Sequence, residues 1–148
     1  MRRFRRILHP SDFSLASRAA FRQAVELART NRAQLTIVHV YTPLLPMIGL
    51  SFAMPRTYDA MLADVRTATQ RQLERLVATA RKAGARATGR LLKGRPHDAI
   101  ERAARSTRAD LIVLGTHGRT GLGRLFLGSV ASRVVALAPC PVLTVRGK

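Results

Sequence analysis

The chain of 148 residues contains one cysteine, no tryptophan, three lysines (Lys82, Lys93 and Lys148) and only eight acidic residues. A single cysteine excludes an internal disulfide framework and favours a reducing compartment. Cys140, set in Ala138-Pro139-Cys140-Pro141 away from any histidine cluster, is expected to be a small buried apolar residue. Long apolar runs are also missing, and none approaches the ~20 residues a spanning helix needs. The basic start, Met1 to Arg6, is followed only by Ile7-Leu8 before His9-Pro10-Ser11-Asp12. A signal or transit peptide is therefore not expected, and the chain reads as soluble, cytoplasmic and without a membrane partner. With 5% aromatics there is little material for base-stacking platforms.

What is abundant is positive charge: 26 Lys plus Arg give a formal net charge of +18. The arginines are spread along the chain, as a compositional bias with solvated helix faces would place them. A clustered stripe would favour nucleic acid more strongly. The 47% hydrophobic share is ordinary for a globular protein and argues against disorder. A chain of this length suits a single domain over residues 1–148, burying roughly 70% of its unfolded surface.

Strand and helix patterns alternate. Phe4 to His9 is a short strand stopped at Pro10. Ser14 offers a helix N-cap ahead of Phe21, Ala24, Val25 and Ala28 at helical spacing. Gln34 to Tyr41 is β-branched and nearly continuous, as a buried parallel strand requires. Residues 42–56, with three prolines and Gly49, read as a long loop whose apolar side chains line a pocket or fold over the sheet. A long helix from Thr57 to Ala83 presents Leu73, Leu76, Val77 and Ala80 on one face and stops at Gly84. Arg86 to Leu92 is a weaker strand, and Pro96 opens a short helix through Ala99, Ile100 and Ala103. Asp110 to Leu114 is the clearest buried strand. A glycine-rich loop follows to Leu127, then a helix from Ser129 to Leu137 burying Val130, Val134 and Val135, and a last strand from Val142 to Arg146. This order predicts an α/β fold: a five-stranded parallel open sheet, strand order 3-2-1-4-5, helices on both faces, Rossmann-like.

Such sheets hold ligands outside the carboxyl ends of their strands, where the strand order reverses, here between strands one and four. The segments leaving them are Pro10-Ser11-Asp12-Phe13-Ser14 and Gly115 to Gly123. The second belongs to Gly115-x2-Gly118-x9-Gly128-Ser129. Glycines permit positive φ and let backbone N–H groups approach an anion, and a helix opening at Gly128-Ser129 favours phosphate. The Ser129 hydroxyl could join them, with Arg119 and Arg124 as nearby cations; otherwise the glycines only turn a loop and Ser129 only caps its helix. A Walker loop is absent, since no lysine lies between Lys93 and Lys148, and the dinucleotide fingerprint fails at Phe126.

With these motifs the chain resembles the small, single-domain bacterial universal stress proteins. The match is carried by Pro-Ser-Asp-Phe-Ser after strand one, His39-Val40 at the end of strand two, and Asp110 to Val145. The resemblance implies ATP binding, with Mg2+ or Mn2+ as an accompanying ion. It implies that Gly115, Gly118, Gly128, Ser129 and Val130 hold the phosphates and ribose, with Thr116, His117 and Arg119 in the same segment. Asp12, in Pro10-Ser11-Asp12, would approach the ribose or a phosphate-bound metal, and Val40 would contact adenine through its backbone. Asp12 also fits an Asx turn. A homodimer through the C-terminal strand is implied too, with an unnamed downstream protein as partner.

No catalytic set emerges. His9, His39, His97 and His117 lack zinc-ligand spacing. Asp98 and Glu101 are expected to pair with Arg102 or Arg105. The leading expectation is therefore an ATP-dependent sensor or switch with slow hydrolysis at most. The alternative is an arginine-rich module binding nucleic acid or another polyanion, weakly and without sequence preference. A dedicated ATPase ranks last.

Overall fold

The computed structural model describes residues 3–42, 55–117 and 127–147. Nine elements alternate along these residues. They are β1 (Arg6–Pro10), α1 (Leu15–Asn31), β2 (Gln34–Tyr41), α2 (Pro55–Lys82), β3 (Arg86–Lys93), α3 (Pro96–Ser106), β4 (Leu111–Gly115), α4 (Ser129–Leu137) and β5 (Val142–Val145). The strands form one parallel sheet in the order β3-β2-β1-β4-β5, as expected. The long loop expected over 42–56 lies outside the described residues except at its ends, where Pro55 already begins α2. Proline there costs no helical hydrogen bond, because a first-turn N–H has no partner.

Helices cover both faces, so the central strands are mostly apolar, with His9, Thr36 and His39 as buried polar exceptions. Ile7, Leu35, Ile37, Leu111 and Val113 point to one face and pack under α1 and α2. Leu8, Val38, Ile112 and Leu114 point to the other and meet α3 and α4. Ser14 caps α1, its side chain accepting the Ser17 N–H at 3.2 Å. The expected helix faces hold for Ala24, Val25 and Ala28 and for Leu73, Val77 and Ala80, all buried. Phe21 and Leu76 are partly buried beside them.

In α4 the expectation is corrected. Ala131 and Val134 are buried, Val130 is partly so, and Val135 is 46% exposed. Periodicity finds an apolar stripe in this short helix but not which edge of it meets the sheet. Cys140 is likewise only half-buried, at the margin of the α3–α4 core. Burial pushes its thiol pKa up, with a further contribution from Asp110, so it stays protonated. Glu101 pairs with Arg105 at 3.0 Å, whereas Asp98 contacts His97 at 3.3 Å rather than an arginine.

Candidate functional site

The chain leaving β1 is tied down residue by residue. The Ser11 N–H donates to the Val38 carbonyl at 2.9 Å, holding the turn against β2. Ser11 Oγ accepts the Phe13 N–H at 3.1 Å, and Asp12 Oδ1 accepts the Ser14 N–H at 2.9 Å. The Asx turn is thus present, and it aims the carboxylate rather than replacing a role for it. Phe13 has φ 62, a left-handed conformation that costs a side-chain-bearing residue roughly 1–2 kcal/mol. Its ring stacks on His39 at 4.3 Å, and His39 Nδ1 donates to the Ser11 carbonyl at 2.7 Å. A carbonyl only accepts, so that nitrogen carries the proton. His39 therefore holds the turn from below through both its ring and its N–H.

The chain leaving β4 is anchored from the other side. The Thr116 N–H donates to the Val145 carbonyl at 3.0 Å, and the Gly128 N–H to the Thr116 carbonyl at 2.7 Å. The second bond brings the start of α4 to the end of β4. Gly128 is the N-cap, with φ −58, so Ser129 is the first helical residue and not the cap. The positive φ foreseen for the motif glycines is not what Gly115 or Gly128 uses; among the described glycines only Gly84 and Gly94 adopt it. A Cβ on Gly115 would lie 3.4 Å from the Ala16 carbonyl oxygen and 3.6 Å from Ser17 Cα. Those are ordinary van der Waals distances: the first turn of α1 packs beside Gly115, and a methyl group would fit there. Since the Gly128 N–H is already bonded, the first-turn N–H groups of α4 that no helical carbonyl precedes are those of Ser129, Val130 and Ala131.

These two exits, together with the end of β2, enclose a cavity of about 290 Å³. Pro10, Ser11 and Asp12 line it from β1, Val40 from β2, Gly115, Thr116 and His117 from β4, and Gly128, Ser129 and Val130 from α4. Each was a candidate in the sequence, and the fold brings them together. The two remaining candidates, Gly118 and Arg119, lie outside the described residues. Thr116 Oγ1 and His117 Nδ1 stand 2.9 Å apart at the rim.

The wall also contains residues that sequence reasoning missed: Val38 and His39, Ser17, Leu114, Ala131, and Pro96 with Ile100 from α3. Pro96 and Ile100 belong to an element that sequence treats as core. Their only signal is topological, since α3 starts where β3 ends, at the same edge of the sheet. Asp12 is the sole carboxylate of this lining. Among the described residues no group of three His, Cys, Asp or Glu side chains could hold a metal by itself.

Behind the cleft, His9 is fully buried, with its Nδ1 donating to the Val113 carbonyl at 2.8 Å and Phe21 beside the ring. Its Nε2 has no hydrogen-bond partner. Desolvation lowers the pKa to about 4, against smaller opposing effects of the Val113 bond and Asp12. The outcome is a neutral, buried imidazole whose Nε2 lone pair is unsatisfied.

Residues 3–146 match the sequence profile of the universal stress protein family. The chain belongs to that family. A universal stress protein of Thermus aquaticus is 39% identical over 97% of this chain and 99% of its own length. The universal stress protein UspA from Lactobacillus plantarum has the same fold, with a TM-score of 0.76 at 32% identity over 99% of this chain and 100% of that one. Another universal stress protein, solved in complex with cAMP, matches with a TM-score of 0.68 at 27% identity, covering 99% and 100%. Among the described residues of this universal stress protein no helix is long and apolar enough to cross a membrane.

Proposed function

We propose that this universal stress protein is an ATP-binding regulatory protein of the cytoplasm, a sensor or switch that holds nucleotide rather than turning it over rapidly. The observation that carries this reading is the convergence of Asp12 and the first turn of α4 on one cavity at the point where strand order reverses. The N–H groups of Ser129, Val130 and Ala131 and the positive end of the helix receive phosphate there. The apolar wall of Val38, Val40, Pro96 and Ile100 takes the adenine, with the Val40 backbone as its polar contact. The relative in complex with cAMP supports an adenine ligand.

A carboxylate facing a polyphosphate is repulsive unless it meets a ribose hydroxyl or a cation. Asp12 suits a divalent ion shared with phosphate oxygens, since Mg2+ is held by one or two carboxylates plus phosphates and water. When bound, that ion would neutralise phosphate charge. The described wall offers no second carboxylate as general base, so slow hydrolysis is expected.

Calorimetry with ATP, ADP and AMP tests the reading, with and without Mg2+ and with the Gly128→Val variant. Saturable ATP binding that the variant loses supports it. A variant that binds ATP as the parent does would place the nucleotide elsewhere.

A homodimer through β5 belongs to the same proposal. This strand is at the sheet's edge, with Leu143 37% exposed. Because the Val145 carbonyl faces β4, the outward donors are those of Val142 and Thr144. Sedimentation should show a dimer that Thr144→Pro weakens. A parent that stays monomeric at high micromolar concentration removes this part.

A further inference from the structure

Arginines that look scattered in sequence meet at one edge of the folded protein. Parallel strands all start at the same edge, and each intervening helix ends there. The lead into β1 brings Arg3, Arg5 and Arg6, all exposed. The α1–β2 corner adds Arg29 and Arg32, and the α2–β3 corner adds Arg81, Lys82 and Arg86. The α3–β4 corner adds Arg105 and Arg108. Adjacency is direct: Arg6 is in register with Gln34 and through it with Arg86, Arg3 Nε donates to the Asn31 carbonyl, and Arg6 Nε to the Arg108 carbonyl.

Little on this edge cancels the charge. Its carboxylates are Glu26, paired with Arg29, Glu101, paired with Arg105, and Asp110, whose oxygens accept the Arg5 and Arg6 N–H groups at 2.9 and 3.0 Å. Helix dipoles account for Arg29, Arg81, Lys82 and Arg105 in last turns. They do not account for Arg5 or Arg86, which lie on the strand side. Nor do they account for Arg32 and Arg108 at φ 53 and 51, where glycine or asparagine is the ordinary occupant. A hollow of about 520 Å³ opens on the same edge, where Arg6, Arg105 and Arg108 share the lining with Asp110 and the turn at Pro139–Pro141.

We propose that this edge, opposite the nucleotide cleft, is a docking surface for the phosphate backbone of duplex nucleic acid, without sequence preference. The chemistry selects that partner among polyanions. Guanidinium forks match phosphate oxygens in a way ammonium groups do not, and Lys82 is the lone lysine on these corners. Phe4, the only aromatic residue on them, is packed against the core, so single-strand stacking has no platform. Among the described residues the exposed large apolar side chains lie at the start of α1, in the first half of α2, at Leu127 ahead of α4, and along α4 and β5; none is on these four corners, and Leu137, at the α4–β5 corner, is the one that shares their edge of the sheet. A membrane surface would require some there. Four adjacent strands, from β3 to β4, span about 14 Å, a length of duplex axis carrying about eight phosphate charges.

The test is fluorescence anisotropy of a labelled 20-base-pair duplex titrated from 50 to 200 mM salt. Two variants carry the same net charge: Arg5→Gln/Arg32→Gln/Arg86→Gln/Arg108→Gln on the edge, and Arg18→Gln/Arg22→Gln/Arg71→Gln/Arg75→Gln on exposed helix surfaces. The parent should bind in the micromolar range at low salt. The edge variant should lose affinity roughly tenfold or more, with a log–log salt slope about 3.6 shallower, and should keep its ATP affinity. The control variant should stay close to the parent. Each single edge variant should shift the slope by about 0.9, which gives the result independently of how the quadruple variant folds. Equal losses in the two quadruple variants would reduce the effect to bulk charge and overturn the proposal. So would a parent that ignores the duplex at 50 mM salt, or one that binds phosphatidylserine vesicles in preference to it.

Discussion

At the carboxyl end of the sheet the chain leaves β1 and β4 through turns in which nearly every polar group is committed: Ser11 to Val38 and Phe13, Asp12 to Ser14, Thr116 to Val145, Gly128 to Thr116. At the amino end the corresponding corners carry long, exposed arginines, few of them held by a carboxylate. Rigid turns around a small concave wall suit a compact ligand that must be met in one orientation. Long exposed cations along an open edge suit an extended polyanion that need not be. The two ends also place non-glycine residues at positive φ for different reasons. Phe13 is held there by stacking on His39, whereas Arg32 and Arg108 stand where α1 and α3 end, with their side chains exposed.

The largest effect should come from the cleft. Gly128→Val places a branched side chain beside the phosphate donors of α4 and should lower ATP affinity at least about 100-fold, roughly 3 kcal/mol. Its duplex salt slope should not change. If calorimetry and anisotropy both fall, the two ends are not independent.

Next is His9, which belongs to the carboxyl end and has no counterpart at the other. Its folded pKa of about 4 is below the unfolded value of 6.5, so neutral His9 contributes full stability above pH 6.5. That contribution is lost as pH falls from 6.5 towards 4, up to about 3 kcal/mol. Denaturant unfolding of the parent and His9→Leu at pH 7.5 and pH 4.5 checks this. The variant should lose less stability on acidification, and parallel losses would contradict the burial argument.

Two substitutions then compare the left-handed positions directly. Phe13→Gly relieves strain but removes a ring packed on His39 and the core, so it should destabilise by about 1–2 kcal/mol and weaken ATP binding. Arg32→Gly relieves the same strain and loses only an exposed side chain, so it should be neutral or stabilising by up to about 1 kcal/mol while weakening duplex binding. Thermal unfolding separates the pair. A Phe13→Gly protein more stable than Arg32→Gly would reverse the assignment of roles.

Much was decided by the sequence itself, because it rests on local physics. Continuous β-branched runs at 34–41 and 111–114, helical spacing between them, the Ser14 cap and proline at 96 specify alternating elements. Alternation of strand and helix leaves a parallel sheet as the way to bury both faces. The handedness of the crossovers then sends the exits of β1 and β4 to one crevice, and ten of the twelve candidates named from sequence line one cavity there. What only the tertiary structure decided depends on which surfaces meet. The first turn of α1 packs beside Gly115, a contact with residues far earlier in the chain. Ala131 turns inward in place of Val135, and Pro96 and Ile100 join the cleft, because α4 and α3 dock at particular rotations on the sheet. His9 loses its charge because burial desolvates the ring and its second nitrogen has no hydrogen-bond partner. The arginines form one basic edge because parallel topology returns every strand start to the same side, and no window of sequence contains that juxtaposition.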